Sequence, residues 1–463
     1  MSNATLSFFG GAGTVTGSKY LVRTDRGQFL LDCGLFQGMK ELRLRNWADP
    51  PFDPSALDAV VLSHGHIDHC GYLPLLAKRG FRGPIYCTPG TADLLSIVLP
   101  DSGRLQEEDA SRANRHAYSK HHPALALYTS DDAERALGLV KLRSYGELFN
   151  VVPGASALFR RAGHILGSAT VEVQLKRPRP SRLVFSGDLG RWARPILRDP
   201  ELVSHADTLL IESTYGDRTH VAGAEEELAR VITETAHRGG VVIVPAFAIG
   251  RTQELIWTIR KLEDAGRVPL ISVYVDSPMA IDVTETYCRH PEDLDKELRE
   301  SIIENRCSLA SKHYHLVRTS DESKALNRLQ GPVVIIAGSG MATGGRVLHH
   351  LKFRLPDHRN TVLLAGFQAA GTRGRALLEG APTVRIHGED IPVRARVEVV
   401  NGLSAHADQN EIMRWLRGFK EPPRQTFVVH GEAASSAALA ATIKEQLGWN
   451  VSVAVDGATV DVS

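Results

Sequence analysis

The sequence of 463 residues is poor in cysteine and contains no CxxC pair. Its five cysteines are odd in number and widely spaced along the chain: Cys33, Cys70, Cys87, Cys288 and Cys307. This pattern argues against a disulfide-stabilised secreted domain and against a zinc ribbon built from cysteines. We therefore expect a reduced, cytoplasmic protein that has no disulfide framework.

Long hydrophobic runs and an excess of one charge are also absent. No apolar run approaches the ~18 residues of a membrane-spanning helix, and the first residues, MSNATLSFFGG, lack the basic and apolar segments of a secretory signal. The 54 Lys and Arg residues balance the 53 Asp and Glu residues, which leaves a net charge of +1. We expect no membrane association and no binding by bulk positive charge. A nucleic acid held in a local basic groove is not excluded.

What the sequence does contain is a regular succession of apolar segments. Short strands such as KYLVR (19–23) and QFLLD (28–32) dominate the chain up to about residue 205. From about residue 209, helical spacing of apolar residues alternates with buried strands such as Val241–Val244. Such alternation predicts a doubly wound, parallel sheet with helices on both faces. Mixed character returns near the strand Phe427–Val429, and the length itself predicts about two or three domains.

Several of the apolar strands end in a polar residue that can bind a metal ion. These strand-end residues are Asp32, His64, Asp188, Glu212 and His430. Strand ends and the loops after them are where layered α/β folds build their sites. One Asp in such a place is usually a turn or a helix cap. Five such endings are better explained as parts of one site.

The densest group of candidate ligands is HGHIDH, which contains His64, His66, Asp68 and His69. Imidazole nitrogens and carboxylate oxygens are ligands of zinc-like ions. His64 and His66 are two apart in an extended segment and can point to the same side. Asp68 and His69 lie where a helix is predicted to start, so they can turn toward a second position. Four ligands within six residues favour two neighbouring metal ions over one.

Further ligands are needed to complete two metal sites. His164 lies in the glycine-containing segment RRAGHILGSAT, where a lone histidine has a structural role as its simplest alternative. Asp188 in SGDLG offers two oxygens that could bridge two ions, and His430 in VVHGE could complete the second ion.

Taken in order, these motifs resemble the β-CASP family of metallo-β-lactamase-fold ribonucleases, bacterial relatives of the endonuclease subunit of the cleavage and polyadenylation factor. HGHIDH matches the HxHxDH signature, and Asp32, His164 and Asp188 match the other N-terminal motifs. Glu212 in ESTYGDR resembles the β-CASP acidic motif, whereas His406 in LSAHAD and His430 in VHGE resemble its two C-terminal histidine motifs. The segments PAFAIGRTQE (245–254) and GSGMATGGR (338–346) also resemble bacterial members.

The resemblance implies an α/β fold, a metallo-β-lactamase αββα sandwich with an inserted β-CASP domain whose doubly wound sheet is mainly parallel. The expected domains are 1–209, the N-terminal part of the sandwich; 210–380, the insert; and 381–463, the C-terminal part of the sandwich. The oligomeric state is left open, with a homodimer as one alternative.

The resemblance also implies two zinc ions per chain and a role for each candidate residue. His64, His66 and His164 would bind one zinc, Asp68, His69 and His430 the other, and Asp188 would bridge them. Asp32 would orient a ligand from behind. His406 is the candidate general acid, oriented by Glu212, and Asp68 counts among the catalytic residues as well as the ligands.

Two glycine-rich segments have different interpretations. GGAGTVTGS (10–18) is not a dinucleotide fingerprint, because Thr16 stands where the third glycine should be, and it is predicted to be a loop at the rim of the site. The second, GSGMATGGR, follows a strand and opens a helix, so its backbone could bind an RNA phosphate or form a plain tight turn. The candidate phosphate contacts are Ser339, Gly340, Met341, Arg346 and Arg251.

Residues 339–375 hold six basic residues and one acid, which favours a basic groove over a solvated face.

The leading hypothesis is a zinc-dependent ribonuclease of RNA processing or decay. It would hydrolyse single-stranded RNA internally, from a 5′ end, or both, and DNA is left open as a substrate. One alternative is a small-molecule metallohydrolase of the same superfamily, acting on a thioester or lactone. Another is a non-catalytic subunit, against which the complete set of candidate ligands argues.

Overall fold

The computed structural model of the protein describes residues 4–116, 121–176, 180–303, 309, 313–400 and 402–462. Two compact units make up the chain. The first unit comprises Met1–Thr219 and His406–Ser463, and the second comprises His220–Ala405.

The strands and helices of the described residues are numbered in chain order. The strands are β1 Thr5–Phe8, β2 Tyr20–Thr24, β3 Gly27–Leu31, β4 Ala59–Val61, β5 Ile85–Cys87, β6 Val140–Leu142, β7 Phe149–Val152, β8 Ala155–Arg161, β9 Ala169–Leu175, β10 Ser181–Phe185, β11 Thr208–Glu212, β12 Val241–Ala246, β13 Ser272–Asp276, β14 Tyr314–Leu316, β15 Val333–Gly338, β16 Thr361–Leu364, β17 Thr383–Ile386, β18 Glu389–Pro392, β19 Arg396–Val399, β20 Gln425–Val429, β21 Val451–Val453 and β22 Thr459–Asp461. The helices are α1 Lys40–Arg45, α2 Ile67–Cys70, α3 Leu73–Lys78, α4 Pro89–His116, α5 Ser130–Leu137, α6 Ala224–His237, α7 Arg251–Asp264, α8 Pro278–Tyr287, α9 Lys296–Ile303, α10 Ser320–Leu326, α11 Val347–Arg354, α12 Arg373–Leu378, α13 Gln409–Leu416 and α14 Ala433–Leu447, with a 3-10 turn at Pro54–Ala56.

Two seven-stranded sheets form the first unit. Their strand orders are β22-β1-β2-β3-β4-β5-β6 and β21-β20-β11-β10-β9-β8-β7. One apolar core lies between the sheets, and two further cores lie between a sheet and helices, one under α3, α4 and α5 and the other under α13 and α14. This is the expected αββα sandwich. The C-terminal strands complete it, because β22 pairs with β1 and β20 pairs with β11.

The second unit is built on a six-stranded sheet of order β14-β13-β15-β12-β16-β19, in which every pair of neighbours is parallel. The run VVIV at the start of β12 explains why helices cover both faces. Val241 and Ile243 enter the core under α11, whereas Val242 and Val244 enter the core under α6 and α7. A strand buried on both faces reads as a continuous apolar run, so the doubly wound sheet expected from the sequence is confirmed.

The bounds of the second unit differ from the expected 210–380. Its last strand, β19, pairs with β16, so the chain is still part of the six-stranded sheet at Val399. The hairpin of β17 and β18 buries Val384, Ile386 and Ile391 in the core of the same unit. Apolar burial of the hairpin therefore keeps residues 381–405 in the second unit.

Two expectations from composition have different outcomes. No helix within the described residues is both long enough and apolar enough to cross a membrane. The expectation of a chain without disulfides is wrong at Cys288, which is disulfide-bonded, whereas Cys33, Cys70 and Cys87 are free and buried. Cys307 lies outside the described residues. Wide spacing in sequence did not report on proximity in the folded chain.

Lys19 is an unusual member of the first unit, because its side chain is buried. Its ammonium group donates a hydrogen bond to the carbonyl oxygen of Gly34 and lies 4.6 Å and 4.5 Å from the ring centroids of Phe36 and Tyr72. Burial lowers the pKa of Lys19 from 10.5 to about 8. The charged form therefore destabilises the folded state by about 3 kcal/mol at neutral pH.

We predict that Lys19→Met raises the free energy of unfolding at pH 7 and has a smaller effect at pH 10. Below pH 8 both states carry the charge, so the full penalty applies. Between pH 8 and 10.5 the unfolded state binds more protons than the folded state, so wild-type stability gains from rising pH. Urea unfolding of the wild type and of Lys19→Met at pH 7 and pH 10 measures the change in the free energy of unfolding that the substitution causes at each pH. The other titrating groups are common to both proteins, so their contributions cancel in this difference. An equal effect at both pH values would contradict the prediction.

Candidate metal centre

The predicted ligands and catalytic residues of the first unit come together where its strands end. Asp32 follows β3, His64 follows β4, His164 follows β8, Asp188 follows β10, Glu212 ends β11 and His430 follows β20. His66 precedes the short helix α2, which carries Asp68 and His69. The loop of residues 10–18 joins β1 to β2, and the carbonyl oxygen of Gly11 accepts a hydrogen bond from the His430 amide. This is the position at the rim that the sequence predicted.

Four buried or half-buried residues form the first ligand group: His64, His66, His164 and Asp188. The Nδ1 atom of His66 lies 3.1 Å from His64 Nε2 and 3.2 Å from His164 Nε2. The Oδ2 atom of Asp188 lies 3.4 Å from His64 Nε2 and 3.7 Å from His164 Nε2. Ligand atoms around a tetrahedral zinc with bonds of about 2.0–2.1 Å are roughly 3.3 Å apart, so these four atoms have the spacing of one ion's ligands.

A second ligand group adjoins the first and contains Asp68, His69 and His430. The Nε2 atoms of His69 and His430 are 3.1 Å apart, and Asp68 Oδ2 lies 3.4 Å from His430 Nε2. Asp188 Oδ2 is 3.3 Å from His69 Nε2, so the same oxygen faces both groups.

Asp32 lies behind this second group and is fully buried. Its Oδ2 atom is 2.7 Å from His69 Nδ1 and accepts a hydrogen bond from the Ser63 hydroxyl. Its Oδ1 atom accepts the Ser63 amide. The carboxylate is therefore satisfied on both oxygens, and it holds the His69 ring so that Nε2 faces the ligand group.

Two hydroxyl groups that the sequence reading did not identify orient further histidines. Ser63 Oγ lies 3.0 Å from His64 Nδ1. Thr214 Oγ1 donates to the carbonyl oxygen of His430 and lies 3.3 Å from its Nδ1. Such partners fix ring orientation in metal sites. Their positions in the strand-end motifs VVLS and ESTYGDR were the only sequence signal for this role. Serine and threonine are common at strand ends, so the signal was too weak to identify them.

Asp32 and His430 have left-handed backbone conformations, with φ angles of 57° and 48°. Residues other than glycine rarely adopt this region, although Asp, Asn and His are enriched there. The turn redirects each side chain immediately after its strand, and such strain is concentrated at functional sites.

The electrostatics of the cluster favour a bound cation. Burial holds the pKa of His64 well below its ordinary value and lowers the pKa of His66 to about 4, so both rings are neutral. Burial alone would raise the pKa of Asp188, but the surrounding histidines, His430 first, hold it well below the ordinary value. Burial would likewise lower the pKa of His69, but Asp188 and Asp68 raise it well above the usual range. The carboxylate of Asp188 thus lies buried among histidines, of which His64 and His66 are neutral and His69 holds its proton.

The donor set fits divalent metal ions of the zinc type. Asp188 Oδ1 is buried and accepts no hydrogen bond from any described residue. Neutral imidazole nitrogens and carboxylate oxygens are zinc ligands, and the distal Nδ1 atoms of His64, His69 and His430 face hydroxyl or carboxylate oxygens. The Oδ1 atom of Asp188 lies 3.2 Å from His430 Nδ1, and a buried carboxylate is costly unless it is paired or binds a metal.

His406 and Glu212 form a pair at the edge of the two groups. His406 Nδ1 lies 3.2 Å from Glu212 Oε1, which also accepts the Leu189 amide, while Glu212 Oε2 accepts the Thr214 amide. Burial alone would lower the pKa of His406, but Glu212 and Asp188 outweigh it and raise the pKa. His406 is absent from the two ligand groups described above, so it can hold and release a proton.

In the second unit, the predicted phosphate loop lies at the carboxyl edge of the six-stranded sheet. Ser339, Gly340 and Met341 directly follow β15, and Ser339 has a φ angle of 82°. A Cβ atom on Gly340 would lie 2.6 Å from the ring of Phe247, which follows β12. The loops after β15 and β12 are therefore packed together, and the position requires glycine.

The two cations predicted to contact phosphate beside this loop are engaged inside the unit. The Arg346 guanidinium donates to Asp276 Oδ1 at 2.7 Å and to two backbone carbonyl oxygens. Arg251 donates to Glu254 Oε2 at 2.7 Å and is buried. These contacts hold both guanidinium groups in place, and their expected contact with phosphate stays a prediction.

The cations of the basic stretch of residues 339–375 also have partners among the described residues. Its six cations all contact a carboxylate or a carbonyl oxygen: Arg346 with Asp276, Lys352 with Glu389, Arg354 with Leu326 and Leu329, Arg359 with Asp357, Arg373 with Arg385, and Arg375 with Glu379. The net charge of +5 counted for residues 339–375 did not include acidic residues from other parts of the chain that pair with these cations. The stretch therefore keeps less net charge than its composition indicated, and the basic groove stays a prediction.

Comparison with known protein families gives three matches along the chain. Residues 12–106 match the metallo-beta-lactamase superfamily, residues 252–377 match the Beta-Casp domain, and residues 390–454 match the Zn-dependent metallo-hydrolase RNA specificity domain. A solved structure described as a protein of unknown function from Enterococcus faecalis V583 shares the fold, with a TM-score of 0.53 and 12% identity over 99% of this chain and 100% of that chain.

Curated relatives match over nearly the whole chain. Ribonuclease TTHA0252 of Thermus thermophilus is 39% identical over 98% of this chain and 99% of its own. An RNase J-like protein of Methanocaldococcus jannaschii is 32% identical over 99% of each chain. Transcription termination factor FttA of the same organism is 32% identical over 95% of this chain and 68% of its own.

The sandwich fold and its strand-end cluster of histidines and carboxylates define a metal-dependent hydrolase. With the matches above, the chain belongs to the β-CASP family of metallo-β-lactamase-fold ribonucleases. The family resemblance inferred from the sequence is thereby confirmed.

Proposed function

We propose that the protein is a zinc-dependent ribonuclease that hydrolyses phosphodiester bonds of single-stranded RNA in RNA processing or decay. The observation that carries this proposal is the pair of ligand groups sharing Asp188, with the Glu212–His406 pair beside them. Phosphodiester hydrolysis needs a positive centre for the phosphate, a nucleophilic water and a proton for the leaving oxygen. The first unit brings together residues suited to each task.

Two zinc ions per chain are proposed, one held by His64, His66 and His164 and the other by Asp68, His69 and His430, with Asp188 shared. When bound, divalent ions of this type polarise the phosphate and lower the pKa of water to about 7. Asp32, Ser63 and Thr214 orient the ligand rings. In His64, His69 and His430, the Nδ1 atom contacts a side-chain oxygen of a neighbouring residue. The Nε2 atom of each ring is therefore left to face the ions.

His406 is proposed as the general acid that protonates the leaving oxygen. Its Nδ1 faces Glu212, so the proton would leave from Nε2. Glu212 is held by two backbone amides, keeps the imidazole oriented and stabilises its charged form. Asp68 contributes as a ligand and as a fixed negative charge beside the reacting centre.

In the second unit, the loop of Ser339, Gly340 and Met341 is proposed to contact RNA phosphate through its backbone, because a glycine-containing turn after a parallel strand presents amide groups. Arg346 and Arg251, held in place by Asp276 and Glu254, are proposed to lie beside that phosphate. A cytoplasmic location and a homodimer stay predictions.

The proposal predicts chelator-sensitive cleavage of single-stranded RNA. Purified protein would be incubated with end-labelled RNA and DNA carrying 5′-phosphate or 5′-hydroxyl, before and after metal removal and after return of zinc. We expect RNA cleavage that chelation abolishes and zinc restores. Internal fragments would indicate endonuclease activity, and 5′ mononucleotides would indicate exonuclease activity.

A preparation of the His406→Ala variant serves as the control for contaminating nucleases. Cleavage that survives complete metal removal would overturn the proposal. Hydrolysis of a lactone or thioester without cleavage of nucleic acid would favour the small-molecule hydrolase, which the family matches do not support. Preference for DNA would change the substrate class and leave the site assignment intact.

A further inference from the structure

Helix α1 presents an exposed face that combines cations with large apolar side chains. Three of its residues lie on α1, and the fourth is in the turn that follows the last helical residue, Arg45. The four are spaced i, i+3, i+4 and i+7, and we call them the α1 face: Lys40, Arg43, Leu44 and Trp47. Leu44 and Trp47 are 55% and 51% exposed. Helix α1 buries none of its residues, so the first unit leaves this face uncovered.

The α1 face is positively charged. Among the described residues, no carboxylate forms an ion pair with Lys40 or Arg43, whereas Arg45 is paired with Asp456. Glu41 and Arg45 lie about 100–140° further round the helix from Lys40, at 100° per residue. The face therefore carries two cations and no acid beside an exposed indole ring. In the basic stretch of the second unit, by contrast, four of the six cations contact a carboxylate.

A short series of contacts ties α1 to the candidate metal centre. The amides of Cys33 and Leu35 donate to the carbonyl oxygens of His69 and Ile67. A Cβ atom on Gly34 would lie 1.6 Å from the carbonyl oxygen of Asp68, so the segment after β3 is packed directly against the ligand helix.

The next residue of that segment, Phe36, is clamped to the end of α1. Its amide donates to Asn46 Oδ1 at 2.9 Å, and its carbonyl oxygen accepts from Asn46 Nδ2 at 2.8 Å. Asn46 is buried, and Trp47 follows it directly. The α1 face is thus fixed to the segment that contacts Asp68 and His69.

We infer that the α1 face, which is joined to the ligand helix through residues 33–36, binds a single-stranded segment of the RNA substrate. Single-stranded nucleic acid is bound by surfaces on which bases stack on aromatic rings while cations contact the backbone. Trp47 supplies the stacking ring, Leu44 extends its apolar surface, and Lys40 and Arg43 contact phosphates. The inference rests on the proposed ribonuclease function and adds a substrate-binding surface to it.

Equilibrium binding of a labelled 15-residue oligouridylate tests the inference. The His406→Ala chain, loaded with zinc, is used as the background so that the RNA stays intact. Trp47→Ala is expected to weaken binding roughly 5- to 150-fold, the range for loss of one stacked base. Lys40→Gln with Arg43→Gln is expected to reduce the slope of log affinity against log salt by about 1.4, since each phosphate contact on a single strand contributes ~0.7.

Arg112→Gln with Arg115→Gln is the matched control. These residues have the same spacing, are exposed on α4, and lie 21 residues or more beyond Thr91, which contacts the loop near His164. This is about 32 Å along a helix. The control is expected to leave affinity and salt slope unchanged. Zinc content and thermal midpoint of all variants establish that they are folded.

The possible results separate this inference from the proposed function. Unchanged affinity and salt slope in both α1 variants would overturn the inference, even if the wild-type protein cleaves RNA. A change from dimer to monomer on Trp47→Ala without a change in RNA affinity would also overturn it and assign the face to a second copy of the chain. Failure of the unmodified protein to bind or cleave RNA would instead reject the ribonuclease proposal.

Discussion

Asp188→Ala is expected to remove both bound metal and activity. The Oδ2 atom of Asp188 faces both ligand groups, at 3.4 Å from His64 Nε2 and 3.3 Å from His69 Nε2. Its loss would take one candidate ligand from each of the two proposed ions and one negative charge from a buried cluster of imidazoles. We expect a loss of activity larger than the roughly 10²–10⁴-fold typical of a missing general acid. Elemental analysis and single-turnover cleavage of labelled RNA are the two measurements.

Asp32→Asn provides a graded control for the same measurements. Asparagine tolerates the left-handed backbone found at Asp32 and keeps one oxygen for His69. Loss of such an outer partner typically costs about 10- to 100-fold in metal affinity or activity. Asp32→Asn should therefore regain activity in excess zinc, whereas Asp188→Ala should not. Full metal content in Asp188→Ala would reject the shared-ligand role.

His406→Ala is expected to keep its metal and lose about 10²–10⁴-fold in RNA cleavage. His406 contacts Glu212 and stands 4.0 Å from Asp188, but it does not belong to either ligand group. A substrate whose leaving group is stable as an anion, such as bis(p-nitrophenyl) phosphate, needs little protonation. The variant should therefore lose much less activity on that substrate than on RNA.

The surface substitution His205→Ala is a matched control for His406→Ala. His205 is in the same unit and its side chain is 46% exposed, so the substitution should alter neither metal content nor cleavage. Loss of metal in His406→Ala would show that His406 is a ligand. Equal losses on RNA and on the nitrophenyl ester would show that it does not act as the acid.

Much of the fold could be predicted because its signals are local and repeated. The continuous apolar runs of β12 and β15 predicted a sheet covered on both faces, and the structure has that sheet. The boundary near residue 380 could not be placed from the sequence. In sequence, the hairpin of β17 and β18 and the strand β19 resemble the mixed strands and helices of the last segment. The pairing of β19 with β16, which the sequence does not show, places β19 in the second unit.

The site was predictable where ligands stand in dense or strand-end motifs. The structure brings Asp32, His64, Asp188, Glu212 and His430 into one cluster, although their individual roles stay predictions. The hydroxyls of Ser63 and Thr214 were missed, because their function depends on a ring nitrogen brought close only by folding. Counting charges in residues 339–375 overstated the net charge of that stretch, because some of the paired acids, such as Asp276 and Glu389, come from other segments.

Metal stoichiometry of catalytically active protein tests the central claim most directly. The chain would be stripped of metal, titrated with zinc, and assayed at each step for bound zinc by elemental analysis and for cleavage of labelled RNA. We predict that activity rises to its maximum as occupancy reaches two ions per chain. Full activity with fewer than two ions per chain, or with none, would contradict the account.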